Sequence, residues 1–205
     1  MSEEIKLKII QASYQLFHRL GIRSITMDDI ARELGMSKKT LYQHFADKDE
    51  IVKQAIQAHI LLIQRTMNEV KKQSKDAIQE IMMTSERMSE FIRGMNPTAF
   101  HDMKKYYPEA MKIFEEHQQK YFYSVLESNI KWGIAEGLYR KDIDIEITAY
   151  KRMHEVESGC NPEIFPIKKF NIETIQKCLL DQFMHSICTL KGHKLINKYK
   201  NIDEN

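Results

Sequence analysis

Apolar residues fall at helical spacing almost from the start of the chain. Ile5, Ile9, Ala12, Leu16, Phe17 and Leu20 recur every three or four positions and predict an amphipathic helix. Gly21 follows where a helix end favours a left-handed residue. Thr26 is a good N-cap, with Asp29 three residues on in a capping-box role. Ile30 and Leu34 are the inward pair of this second helix, and Gly35 closes it. Ser37 caps a third short helix whose inward pair is Leu41 and Phe45. Asp47, with Glu50 completing a box, opens a fourth that runs through Ile51, Ala55, Ile56, Ile60 and Ile63 to about Val70.

The pattern stays helical beyond this point. A helix is predicted over 74–93, with a break at Gly94, Met95, Asn96 and Pro97, then a short helix to Tyr106. Pro108 suits a first helical position and opens a long helix that ends near Gly137. Another covers 145–158, and Gly159, Cys160, Asn161, Pro162 and Pro166 mark a loop. The last long helix spans 172–190 and ends at Gly192. No segment alternates apolar and polar residues at a period of two, so the predicted fold is all-α.

Composition narrows the class. Only 7 Gly and 4 Pro in 205 residues fit few turns and long helices. Apolar residues at 42% and charged residues at 29% are ordinary globular values. The net charge of +2 does not announce a nucleic-acid binder, and residues 1–50 carry eight basic and eight acidic side chains. Any such argument must come from where the charges sit. Cys160, Cys178 and Cys188 are odd in number and lack a CxxC pair, as reduced thiols of a cytosolic protein would. Met1, Ser2, Glu3 and Glu4 make an acidic start unlike a signal peptide, and the longest apolar run, 60–63, is too short to span a membrane. A cytoplasmic protein with no membrane partner is expected.

The second and third helices have helix-turn-helix spacing, with Ala31 small at the crossing and Gly35 free to take positive φ. The outward side of the third helix holds Lys38, Lys39, Thr40, Tyr42, Gln43 and His44, and no carboxylate occurs from Leu34 to Ala46. A surface that approaches phosphate needs this local absence of negative charge.

The stretch TMDDIARELGMSKKTLYQHFADKDEIV resembles the N-terminal DNA-binding region of TetR/AcrR-type regulators. Its run SKKTLYQHFADKDEIV is close to a family signature, and EGLYRKDIDIEITA is similar to the family's approach to its penultimate long helix. The resemblance implies a three-helix helix-turn-helix DNA-binding domain over 1–46 and an antiparallel helical-bundle regulatory and dimerisation domain over 47–205. It implies double-stranded DNA with a pseudo-palindromic operator as partner. Thr26, Tyr42, His44 and Lys48 would contact the phosphate backbone. Lys38, Lys39, Thr40 and Gln43, with Ser37 at the head of the same surface, are left to reach base edges in the major groove.

The later region gathers methionines and aromatics. Methionine adapts its shape and suits surfaces that accept varied apolar ligands. The resemblance implies an inducer cavity for a small molecule, for which Phe91, Met95, Phe100, Met103, Tyr107, Phe114, His117, Tyr121 and Trp132 are candidates. Each serves equally as plain core. The last long helix has a wide apolar arc with Ile175, Leu179, Phe183, Ile187 and Leu190. Paired with the 145–158 helix it resembles the family's homodimer interface, although burial against its own domain accounts for the same arc. Two half-sites about one DNA turn apart require two recognition helices. His154-Glu155 lacks the second His of a zinc HExxH site, and no glycine-rich phosphate loop or GxSxG occurs. No enzyme, cofactor or metal is predicted. The expected function is a repressor released from its operator by a small molecule. The alternative is a DNA-bound adaptor whose helical domain binds a protein.

Overall fold

The computed structural model describes residues 2–96, 98–166 and 168–202. Met1 of the acidic start and Pro97 of the predicted break lie outside them. Among the described residues the chain is all-α, with eleven α-helices and one π-helical turn. It divides into two compact units: Met1–Gln64 with Gly94–His117, and Arg65–Arg93 with Gln118–Asn205.

The first unit contains α1 (Ser2–Leu20), α2 (Met27–Glu33), α3 (Lys38–His44), the start of α4 (Lys48–Gln73), α6 (Ala99–Tyr106) and α7 (Pro108–His117). Its core joins Ile9, Leu16 and Phe17 of α1 to Ile30, Leu41, Phe45, Ile51 and Val52, and Met103, Tyr107 and Ala110 complete it. This explains why the compact unit is larger than the three helices predicted over 1–46. Those helices are short and share their apolar faces with α4 and α6. Two contacts seat α6. Asn96 N–H donates to the His18 carbonyl at 2.6 Å, and Asp102 accepts the Arg23 backbone N–H at 3.0 Å. At Gly21 (φ 85°) a Cβ would come within 3.0 Å of Thr98 Oγ1, so any other residue would be strained and crowded there.

Tyr14 and His59 also bridge α1 and α4. Their rings stack at 4.4 Å, and the Tyr14 hydroxyl lies 3.0 Å from His59 Nε2. Burial, with like charge on His18 and His117, pushes His59 down to about 4.

The second unit contains α5 (Ala77–Ile92), α8 (Tyr123–Ala135), α9 (Ile145–Gly159), α10 (Ile172–Ile187) and α11 (Leu190–Lys200). A polar network threads its core. Asn129 donates to the Ala77 carbonyl (2.9 Å) and to Glu80 (2.7 Å), and Tyr139 donates to Asn129 Oδ1 (3.1 Å). Lys71 pairs with Glu80 at 3.1 Å while lying 4.1 Å from the centre of the Trp132 ring. Gly133 gives the Tyr139 ring its space, since a Cβ there would come within 2.1 Å of it.

Two expectations need correction. The predicted single helix from Pro108 to near Gly137 is α7, a π turn over Gln118–Phe122, and α8. Apolar spacing alone does not register such a turn. The predicted last helix over 172–190 is two helices. The Tyr139 and Cys188 backbones form an antiparallel bridge: Arg140 N–H donates to Ile187 O (2.9 Å), and Thr189 N–H to Leu138 O (2.9 Å). Cys188 is therefore extended, and Thr189 caps α11 by accepting the Gly192 N–H. Leu190, expected on the apolar arc, is 82% exposed, and Gly192 lies inside α11 against the Leu138 carbonyl.

Gly133→Ala should destabilise the protein by about 1–3 kcal/mol through overpacking on Tyr139, read as a lower urea midpoint. His59 gives an acid test. Its folded pKa lies below the unfolded value of 6.5, so the stability linked to its neutral ring is intact above 6.5 and is lost as pH falls to about 4. Across that window the natural chain should lose up to about 3 kcal/mol more than His59→Gln in urea titrations. Parallel pH curves would exclude His59 as the cause.

Candidate nucleic-acid interface

The predicted capping box at α2 is present in both directions. Asp29 N–H donates to Thr26 Oγ1 (3.2 Å), and the Thr26 backbone N–H donates to the Asp29 carboxylate (2.9 Å). The Thr26 hydroxyl donates to the same oxygen at 2.6 Å. Asp29 is held below the usual carboxylate range, chiefly by these Thr26 hydrogen bonds. Both Thr26 donors assigned to phosphate are thus occupied by Asp29.

Leu34 ends α2, and Gly35 turns the chain with φ 62°. Met36 N–H then bonds back to the Ala31 carbonyl at 3.0 Å. Ser37 caps α3 by accepting the Thr40 N–H at 3.1 Å, and its hydroxyl meets that of Thr40 at 2.8 Å. Leu41 and Phe45 are fully buried, as their spacing predicted. The opposite side of α3 presents Ser37, Lys38, Lys39, Tyr42 and Gln43 to solvent, with Thr40 and His44 half-buried. Ser37, Lys38, Lys39, Tyr42 and Gln43 are thus the solvent-exposed members of the predicted set at α3, and Thr26 and Lys48 lie at the starts of α2 and α4.

Its electrostatics differ from the sequence reading. Asp28 on α2 reaches Lys38 and forms an ion pair at 2.9 Å, and this hydrogen bond raises the Lys38 pKa. The carboxylate-free run from 34 to 46 is thus not free of acid in space. No local pattern signals this pairing, because it joins two helices across the turn. Lys39 has no ion pair among the described residues. Lys48 is half-buried at the start of α4, with its ammonium 5.5 Å from the centre of the Tyr107 ring. Burial lowers its pKa.

The ligand candidates fall in both units and are described unit by unit. In the first, Met103 and Tyr107 are core residues, His117 is buried, and Phe100 meets Phe114 edge-on at 5.7 Å. Met95 is half-buried in the segment before α6. In the second, Trp132 packs on the core beneath Lys71, and Tyr121 donates to Asn68 at 3.3 Å. Phe91 is half-buried on α5.

The proposed dimer helices have distinct faces. On α10, Ile175, Phe183, Met184 and Ile187 are buried within their own unit. Its exposed side is Lys177, Cys178, Gln182 and His185, so a partner would meet polar groups there. On α9, Ile147 and Tyr150 are exposed, at 66% and 42%. No helix among the described residues is long and apolar enough to cross a membrane.

Residues 9–55 match the family described as bacterial regulatory proteins, tetR family. The HTH-type transcriptional regulator YvaF of Bacillus subtilis is 24% identical over 104 residues, covering 50% of this chain and 54% of that protein. The match thus spans about half the length of that relative. Two solved structures have similar folds. A transcriptional regulator from Saccharomonospora viridis, in complex with choline, gives a TM-score of 0.75 at 18% identity, covering 91% of this chain and 99% of that one. A TetR-family transcriptional regulator from Streptomyces coelicolor gives 0.71 at 17%, covering 90% and 96%.

Asp28→Asn should release the Lys38 ammonium and tighten binding to duplex DNA at low salt, with a steeper salt dependence. Fluorescence anisotropy against a labelled duplex measures both. Weaker or unaltered affinity would mean that Lys38 makes no contact with DNA.

Proposed function

This chain carries the DNA-binding region of the tetR family of bacterial regulatory proteins, and on that premise we propose that it is a ligand-responsive repressor acting as a homodimer on DNA. One observation carries the reading. A seven-residue helix is fixed by two buried side chains and turns Lys39, Tyr42 and Gln43 outward. The outward side chains of this helix lie outside the core, and they match what the major groove accepts. Lys39 and Gln43 offer donors to guanine and adenine edges. Tyr42, His44 and Lys48 supply backbone contacts that set the register. Thr26 joins them by exchanging Asp29 for a phosphate oxygen.

A dimer follows from the operator. Two recognition helices about one helical turn apart read two half-sites, and a palindromic sequence mirrors the two-fold axis. The exposed Ile147 and Tyr150 on α9 and the polar side of α10 are the surfaces assigned to the partner copy. A small molecule bound by the helical region after α3 would regulate the dimer. The fold neighbour seen with choline supports a small organic molecule as effector. The ligand would act through α4, whose first residue, Lys48, belongs to the DNA edge and whose last, Gln73, lies in the second unit. Ligand and operator would then oppose each other reciprocally, by about 1–3 kcal/mol.

The test is selection from a random duplex pool by the purified chain. A palindromic consensus is expected, bound with two protomers per duplex. Lys39→Ala should shift the preferred base at one position in each half-site, whereas Lys48→Ala should weaken all sequences alike and lower the salt slope by about one. Failure to enrich any duplex would remove the regulatory reading.

A further inference from the structure

The basic side chains of the first unit divide into two groups. Lys8, Arg19, Arg32, Lys38 and Lys53 are each paired with a carboxylate. Lys6, Arg23, Lys39, Lys48, Lys104, Lys105 and Lys112 have no ion pair among the described residues, and aromatic rings hold Arg23, Lys48 and Lys105. The Arg23 guanidinium lies 4.9 Å from the centre of the Tyr106 ring and donates to the Tyr106 hydroxyl at 3.0 Å. Lys105 lies 5.4 Å from the same ring, and Lys48 lies 5.5 Å from that of Tyr107. These contacts gather the cations at one end of α6, whose last turn contributes Lys104 and Lys105.

Arg23, Lys104 and Lys105 are exposed, and Tyr106 is 36% exposed. Two of the acids nearby are engaged. Asp102 is buried and accepts the Arg23 backbone N–H, and Glu109 is bound to Lys53. Asp49 and Asp102 also act on Lys48. A cation held on an aromatic face keeps its charge and remains able to donate to an incoming anion. Arg23 stands three residues before Thr26, and Lys48 opens α4, so both ends of the cluster adjoin the predicted phosphate contacts.

We propose that the end of α6 is a second phosphate-binding ledge, on which Arg23, Lys104 and Lys105 extend the Lys48 contact along the DNA backbone, with Tyr106 as the positioning residue. The ledge rests on the DNA-binding reading. It reads no bases, so its contribution is independent of sequence and sensitive to salt. The simpler alternative is that Lys104 and Lys105 only complement the dipole at the helix end.

Lys104→Gln/Lys105→Gln, two exposed changes, tests the ledge on a duplex selected by the natural chain. The slope of log affinity against log salt should fall by about two. Tyr106→Phe, which removes the Arg23 hydrogen bond, should fall by less than one. A control, Lys141→Gln/Lys168→Gln, removes the same charge from the second unit, away from the surfaces assigned to the partner copy, and should leave the slope unaltered. Equal slopes for the Lys104/Lys105 variant and the natural chain would overturn the ledge, as would an equal fall in the control. In either case the natural chain still binds DNA, so the regulatory reading survives. A natural chain that binds no duplex ends both.

Discussion

The outward surface of α3 depends on the burial of Leu41 and Phe45. A seven-residue helix has no stability of its own, because a nucleus of fixed dihedrals costs more than two turns return. Two large apolar side chains, each worth about 1.5–3 kcal/mol when taken from water, hold α3 against the rest of its unit. Every outward residue of α3 is oriented by that anchoring. The caps complete it: Ser37 satisfies the Thr40 N–H at the start, and Gly35 supplies the one left-handed turn that lets α3 follow α2.

This anchoring also explains why the first compact unit takes in 94–117. Leu16, Phe17 and Phe45 share one core with Met103, Tyr107 and Ala110, and hydrogen bonds at Asp102 and Asn96 tie α6 and the segment before it to the end of α1 and the turn after it. The same core that holds the recognition helix therefore depends on a segment far along the chain. Any influence that moves α6 must act on the packing behind α3. The packing behind α3 and the seat of α6 thus belong to one core.

The sequence was most legible where the chemistry is local. The Thr26–Asp29 box, the Ser37 cap, the turn at Gly35 and the inward pair Leu41/Phe45 each involve residues within a few positions, and the structure has all of them. It was least legible where distant groups compete. The break at Cys188 was hidden because Ile187 and Leu190 keep helical spacing. Backbone pairing of 187–189 with 138–140 overrides it. The Asp28–Lys38 pair and the α6 cations were invisible for the same reason, since each joins separate helices. The ligand candidates were named from residue type alone, and residue type does not separate a cavity wall from a core. Met103 and Trp132 both pack in cores, yet either could also border a bound molecule.

Charge shows how far a sum can mislead. Residues 1–50 are neutral overall, and the whole chain carries only +2. The acids of the first unit are not spread evenly against its bases. Asp28, Asp29, Glu33 and Glu109 are spent on Lys38, Arg32, Arg19 and Lys53. Lys39 and the lysines at the end of α6 have no ion pair among the described residues, Asp49 and Asp102 act on Lys48, and at ordinary ionic strength the field a ligand meets is set within about 10 Å. A polyanion at contact therefore meets individual side chains rather than the sum, on a protein whose total charge is close to zero. Such an arrangement limits non-specific attraction at long range, where the sum governs, and preserves attraction at contact, where the pairing governs.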